Sequence, residues 1–287
     1  VIPYSCIPIP INPFCTAIMM GKCMSYKLQL PLITKMKGDY WFFALRLRNR
    51  PGVLTKVAEV FAKANINILG GTHTVVEDGG FVDWITLTDF SKSKVKPSDI
   101  AEKLSRNPDV VRVDYGIKVI GGIGFPPFEV AIIFGEEKAT IWRYIWLTSF
   151  LGSLIRYFKD SGQLFLYQAA YIAGYNISQW WKQSTATKDP LKLIQVAGEA
   201  LKAFGWIRDY EIVRFQESPT LVVIRLFESF ESQAYKKLKV SGGCYFMLGL
   251  LAGYVAGIFG VSMVAREEKC EAKGHGFCEF HISVYKA

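Results

Sequence analysis

Gly243-Cys244 and, beyond an apolar run, Arg266-Glu267-Glu268-Lys269-Cys270-Glu271-Ala272-Lys273-Gly274-His275-Gly276-Phe277-Cys278 form the stretch on which the reading of this chain turns. Cys244, Glu267, Cys270 and Cys278 follow one another at intervals of 23, 3 and 8 residues. Thiolates and a carboxylate are competent zinc ligands, and four protein ligands close a tetrahedral structural site. Lys269 and Lys273 are expected to help keep the thiols ionised. The run between Lys239 and Arg266, Val240 to Ala265, holds 26 uncharged residues. That length could cross a bilayer, for which about 20 apolar residues suffice. Gly249, Gly253 and Gly257 even repeat the small-residue spacing of packed membrane helices. The two readings exclude each other, because a membrane-crossing helix would hold Cys244 roughly 30 Å from the other three ligands. A soluble fold is favoured on three grounds. Ser241, Gly242, Gly243 and four further glycines dilute the hydrophobicity. No aromatic belt or Lys/Arg asymmetry frames the run. The residues after it alternate as a hairpin that needs a sheet, and small residues also let a helix lie close against a sheet in a core.

The length of 287 residues suits about two domains. With 51% apolar and 21% charged residues the chain can build packed cores and is not generally disordered. The net charge of +9 reads as a basic solvated surface. No basic arm, helix-turn-helix or zinc-finger spacing is visible, so direct nucleic-acid binding is not expected. Cys6, Cys15 and Cys23 lie in the first 23 residues, and Cys244, Cys270 and Cys278 in the last 44. That clustering points to a reducing, cytoplasmic setting with a local metal site, not to a disulfide framework. Residues 1–38 carry Pro3, Pro8, Pro10, Pro13 and Pro31 and show no helical or strand period. The prolines break the apolar core that a signal peptide needs. This segment is read as an unstructured extension outside the fold, with Met24 and Met36 as candidate starts.

Residues 39–119 read as one small domain. Tyr40 to Arg48 is rich in strand formers, and Asn49-Arg50-Pro51-Gly52 opens a helix carrying Val53, Leu54, Val57, Val60 and Phe61 at helical spacing. A strand to Val76, a hairpin turn at Glu77-Asp78-Gly79-Gly80 and a return strand follow. A second helix over Lys96 to Arg106 and a fourth strand from Val110 complete the order βαββαβ, a ferredoxin-like sandwich. His73 falls in a strand as an ordinary packed or surface residue. The segment resembles an ACT domain, the amino-acid-sensing module of metabolic regulators, most closely at Asn49-Arg50-Pro51-Gly52-Val53-Leu54 and Ala64-Asn65-Ile66-Asn67-Ile68. The resemblance implies an amino-acid ligand at Asn49, Gly52, Val53 and Leu54, held at a homodimer interface. The physical chemistry agrees, since glycine admits a ligand to the backbone and N–H groups at a helix start attract a carboxylate. Ile120-Gly121-Gly122-Ile123-Gly124-Phe125-Pro126-Pro127 is read as a linker, 120–127.

Residues 128–287 read as the second domain. The expected elements are a strand over Phe128 to Phe134 and helices over Ile141 to Lys159, Gln163 to Trp181 and Pro190 to Phe204. A hairpin over Ile207 to Phe227, a glycine-rich helix over Gly243 to Phe259 and a final hairpin carrying the cysteines follow. From about residue 126 onward the chain resembles the 4-vinyl reductase domain, on its glycine-rich helix, Cys244 to Gly260, and on Cys270, Gly274, Cys278 and Phe280. The resemblance implies an α+β domain with an antiparallel sheet, of the Golgi-transport and NO-signalling ligand-binding type. It also implies Zn2+ held by Cys244, Glu267, Cys270 and Cys278, and a small apolar pocket between sheet and helices. The polar, phenol-holding residues of the aromatic-responsive members are not seen at matching positions. Together the two domains point to a non-catalytic, small-molecule-sensing regulatory protein, dimeric, cytoplasmic and off the membrane. A tetrapyrrole 4-vinyl reductase or accessory protein, and a protein-interaction scaffold, are the alternatives. Against the reductase, no Gly-rich dinucleotide fingerprint is present.

Overall fold

The computed structural model describes residues 34–76, 79–134, 137–240 and 243–285. Cys6, Cys15 and Cys23, and most of the expected N-terminal extension, lie outside the described residues. The chain divides into two compact units after Ala139.

In the first unit, strand β1 is Thr34–Lys35 and β2 is Tyr40–Arg48. On β2, Phe43, Leu45 and Leu47 point alternately to one face and are almost fully buried. Gly52 takes φ 82° at the start of helix α1, Val53–Lys63, a left-handed turn that favours glycine. Val53, Val57 and Phe61 recur every fourth residue and form the buried face of α1. Strands β3 (Asn67–Val76) and β4 (Phe81–Asp89), helix α2 (Pro97–Ser105) and strand β5 (Val110–Gly116) follow. The sheet order is β3-β4-β2-β5, antiparallel between all neighbours. This is the expected βαββαβ sandwich, with Phe43 and Phe61 edge to face at 5.2 Å in its core.

The segment expected as a linker folds instead. Strands β6 (Lys118–Ile120) and β7 (Ile123–Phe125) form a hairpin around Gly121 and Gly122, whose φ angles are 58° and 77°. Two positive φ values are what a tight type I′ hairpin turn needs, and a glycine pair supplies them. Thr34 and Lys35, expected outside the fold, pair with Gly124 and Ile123. Strands β8 (Ile132–Phe134) and β9 (Glu137–Ala139) make a further small hairpin that belongs to the first unit. The strand expected to open the second domain is therefore on the other side of the division.

The second unit opens with helix α3, Tyr144–Ser184, interrupted at Lys159 (φ 47°, ψ −124°), so the two helices expected there meet at a sharp break. Helix α4, Pro190–Ala203, is capped by the Asp189 carboxylate, which accepts the N–H groups of Leu191 and Lys192. Strands β10 (Asp209–Glu217) and β11 (Thr220–Phe227) form the first hairpin. Helix α5, Phe230–Leu238, has no counterpart among the expected elements, because its buried face includes Glu231 and Ser232 and carries little apolar periodicity. Helix α6 (Tyr245–Phe259), strand β12 (Met263–Lys269), a short 3-10 turn (Glu271–Lys273) and strand β13 (Cys278–Val284) complete the chain. The sheet order is β10-β11-β13-β12.

Helix α6 is apolar on nearly every side and is buried, as such helices are. Leu250, Leu251 and Val255 belong to one core with Val222, Ile224 and Leu226 of β11 and with Phe280 and Ile282 of β13. Its other wall is α3, not the sheet expected from the glycine spacing. A Cβ at Gly249 or Gly253 would overlap the carbonyl oxygen of Tyr167 or Tyr171, and one at Gly257 would overlap the Ser178 hydroxyl. The two backbones therefore touch. At 15 residues α6 is about 22 Å long, short of a hydrocarbon core of about 30 Å. Among the described residues no helix is long and apolar enough to cross a membrane.

Gly253→Ala should lower stability by about 1–3 kcal/mol or more, since neither backbone can yield without moving a whole helix. Gly276→Ala, with open space beside it and no positive φ, is the neutral control. Urea unfolding followed by circular dichroism compares the two, and equal midpoints would rule out the backbone contact.

Candidate metal centre

The period of two along a strand decides which side chains reach the site. On β13, Phe280 and Ile282 are fully buried against the core, so Cys278 two residues earlier faces the same way. On β12, Met263 is buried on that face, and Glu267 four residues later shares it. Cys270 would by the same rule point away. The ladder between β12 and β13 slips by one residue between Glu267 and Lys269, and this irregularity turns Cys270 inward. The N-terminus of α6 meets this end of the hairpin, with Cys244 at its cap position. A Cβ at Gly243 beside it would lie 2.6 Å from Glu267 Oε2, so a larger residue there would push that carboxylate aside.

The three sulfurs are 3.7 Å (Cys244 to Cys270), 3.8 Å (Cys244 to Cys278) and 3.9 Å (Cys270 to Cys278) apart, and all three residues are fully buried. A tetrahedral ion held by thiolates at about 2.3 Å, as zinc is, needs sulfurs about 3.8 Å apart. One ligand atom from each of Cys244, Glu267, Cys270 and Cys278 lies within 4.8 Å of every other. The four residues singled out in the sequence are thus brought together in an arrangement that could hold a metal ion.

The electrostatics fit a cation. Hydrogen bonds from the Cys244 and Cys278 thiols hold the Cys270 thiol down to about 2. The same sharing, followed by burial, pushes Cys244 well above the usual thiol range. Burial, then the Cys270 charge, pushes the Glu267 carboxyl up to about 8. A cluster of this kind carries one charge alone and accepts the others when a cation neutralises them.

Two surrounding carboxylates have no counterpart among the residues singled out in the sequence. Glu231 is fully buried, and accepts the N–H groups of Phe246 (3.0 Å) and Met247 (2.9 Å) and the Tyr235 hydroxyl (2.9 Å). It thereby satisfies donors that the first turn of α6 leaves open. Glu271 accepts the Glu228 N–H (2.9 Å) and the Ser232 hydroxyl, tying the loop after Cys270 to the start of α5. The Glu271 N–H donates to Cys278 Sγ at 3.4 Å. The repeated Phe227-Glu228-Ser229-Phe230-Glu231-Ser232 is the available sign, an acid recurring inside an apolar context. The two lysines do not both sit where expected. Lys273 Nζ is 3.8 Å from Glu267 Oε2, while Lys269 lies over the Phe277 ring at 5.0 Å and 4.0 Å from Glu279.

The residues expected to hold an amino acid lie at the β2–α1 turn. The Asn49 side chain donates to the Gly79 carbonyl (2.8 Å), Val53 points into the core, Leu54 is 38% exposed, and open space adjoins Gly52. A cleft of about 340 Å³ in this unit lies elsewhere, on the sheet face lined by Arg46, Asp83, Arg112, Asp114 and Glu129. In the second unit an apolar cavity between α4, the sheet and α6 is lined by Ile194, Leu201, Tyr210, Leu251 and Tyr254. It measures about 10 Å³, room for at most one water.

Residues 43–109 match the family model of the ACT domain, and residues 222–284 that of the 4-vinyl reductase domain. The chain therefore carries an ACT domain followed by a 4-vinyl reductase domain. No curated protein matches it. Among solved structures it is similar to the phenol-responsive sensory domain of the transcription activator PoxR with phenol, at 14% identity and TM-score 0.49, over 67% of this chain and 91% of that one. It is also similar to a trafficking protein particle complex subunit 3 from Naegleria fowleri covalently bound to palmitic acid (15%, TM-score 0.38, 50% and 95%). A vinyl-4-reductase family protein from Methanocaldococcus jannaschii is a third (19%, TM-score 0.36, 52% and 85%). The fold assignment rests on the two family matches and the topology above.

At pH 7, binding of Zn2+ to the metal-free protein should release about three protons, from Cys244, Cys278 and Glu267, with Cys270 already ionised. Affinity should accordingly fall steeply as pH drops from about 8 to 6. Calorimetric titration in buffers of different ionisation enthalpy counts the protons. Release of none would mean that the cluster is not the binding site.

Proposed function

We propose that this chain is a non-catalytic, small-molecule-sensing regulatory protein whose C-terminal domain is pinned by Zn2+ at Cys244, Glu267, Cys270 and Cys278. The observation that carries this reading is the closure of the cluster. All four ligands come from the protein and the three thiols are fully buried. Structural zinc sites are closed in this way, whereas catalytic ones keep a position for water or substrate. An ACT domain joined to a 4-vinyl reductase domain supports a ligand-sensing role in general.

In this reading the ACT domain takes an amino acid at Asn49, Gly52, Val53 and Leu54, with the open space beside Gly52 admitting its carboxylate to the helix start. The C-terminal domain takes an apolar compound between α4 and α6, displacing Tyr210 and Tyr254 as it enters. The protein acts as a cytoplasmic homodimer. Ligand binding changes its output only to the extent that affinity differs between two states of the chain.

Thermal unfolding of the full chain against each amino acid tests the first-domain site. One amino acid at about 100 times its Kd should stabilise by about 2.7 kcal/mol. Leu54→Glu, an exposed position, should abolish that shift through charge repulsion while metal content stays unchanged. No shift with any amino acid would remove amino-acid sensing from the account.

A further inference from the structure

The second half of α3 is apolar on two opposite sides. Leu166, Ala170, Gly174 and Ser178 form its buried side. Opposite them, Leu164, Phe165, Ile172, Tyr175 and Trp180 are 61, 57, 61, 41 and 37% exposed. Their spacing follows one stripe along the helix. No charged residue occurs between Asp160 and Lys182, and the exposed polar members of the stripe include the amides Gln168 and Asn176. Single exposed apolar residues are ordinary, but a continuous uncharged stripe on one helix marks a contact surface.

We infer that this stripe is the contact surface for a second copy of the same chain, with the two α3 helices antiparallel about a two-fold axis at Ile172. Size, charge and sequence symmetry support that occupant. At these exposures, with aromatic side chains of roughly 150–250 Å² each, the five residues offer on the order of 400–550 Å², and the amides and small residues between them add to it. That approaches the roughly 800 Å² per partner of a standard interface. A residue near a two-fold axis faces its own copy, so a charge there would repel itself. The stripe has none, on a chain of net charge +9, and it offers an acidic partner nothing to pair with.

The residues also match about Ile172. Gln168 and Asn176 stand four positions on either side, so each amide meets the other across the axis, and each both donates and accepts. Leu164 and Trp180 stand eight on either side, and the small Ala169 is placed opposite the large Tyr175. The inference holds whether or not either domain binds a ligand.

Size-exclusion chromatography with light scattering on the full metal-loaded chain is the test. The wild type should run as a dimer of twice 32.3 kDa. Ile172→Glu should weaken association at least 100-fold, with the circular dichroism spectrum and metal content unchanged. Ile172→Cys keeps the test decisive should that variant not fold. Mild oxidation should link it into a covalent dimer, against the wild type as control for the native cysteines. A monomeric wild type overturns the inference, as does a dimer that neither variant affects. A monomer that binds phosphatidylcholine vesicles through this stripe, and loses that binding in Ile172→Glu, assigns the stripe to lipid and equally overturns it.

Discussion

Three buried thiols and a carboxylate drawn from three separate elements must meet within 4.8 Å, and the second unit is arranged to let them. Burying such groups is costly unless their charge is balanced. A cation held by the four side chains would balance it directly. The start of α6 contributes as well, because Cys244 stands at its cap position, where the positive end of the helix dipole lies. Glu267 accepts the Cys244 N–H through both oxygens, and Glu231 accepts those of Phe246 and Met247. The same carboxylate that could bind the ion therefore also positions the helix that brings Cys244.

That helix is held along its whole length. Its glycines let the α3 backbone lie against it, and its remaining sides pack into the sheet core. Contacts of backbone on backbone leave no side chain to rearrange, so α3 and α6 behave as a rigid pair. The opposite side of the second half of α3 is the uncharged stripe, which places the thiol–carboxylate cluster, the cavity and that surface on one connected set of elements.

Much of this is legible in the sequence where local chemistry and periodicity agree. The βαββαβ order shows itself because each element there has one apolar face and a clear turn. The Cys244, Glu267, Cys270 and Cys278 cluster, which could hold a metal ion, shows itself because cysteines are rare and their spacing sets α6 against a hairpin. Three features are not legible. Helix α5 buries Glu231 and Ser232, so its inward face looks polar. The register slip that turns Cys270 inward depends on pairing with β13, which no local pattern encodes. The hairpin at Gly121 and Gly122 reads as a linker because a glycine pair serves both purposes, and only strand pairing with Thr34 and Lys35 distinguishes them. The glycine spacing of α6 carries its meaning in part. It calls for a close partner, and the partner is a helix inside the same unit.

X-ray absorption at the zinc edge of the purified full chain tests the central claim most directly. The account predicts a single zinc environment with three sulfurs at about 2.3 Å and one oxygen at about 2.0–2.2 Å. A first shell with water or nitrogen in place of one of the three sulfurs, or a protein that folds fully while binding no zinc, would contradict it.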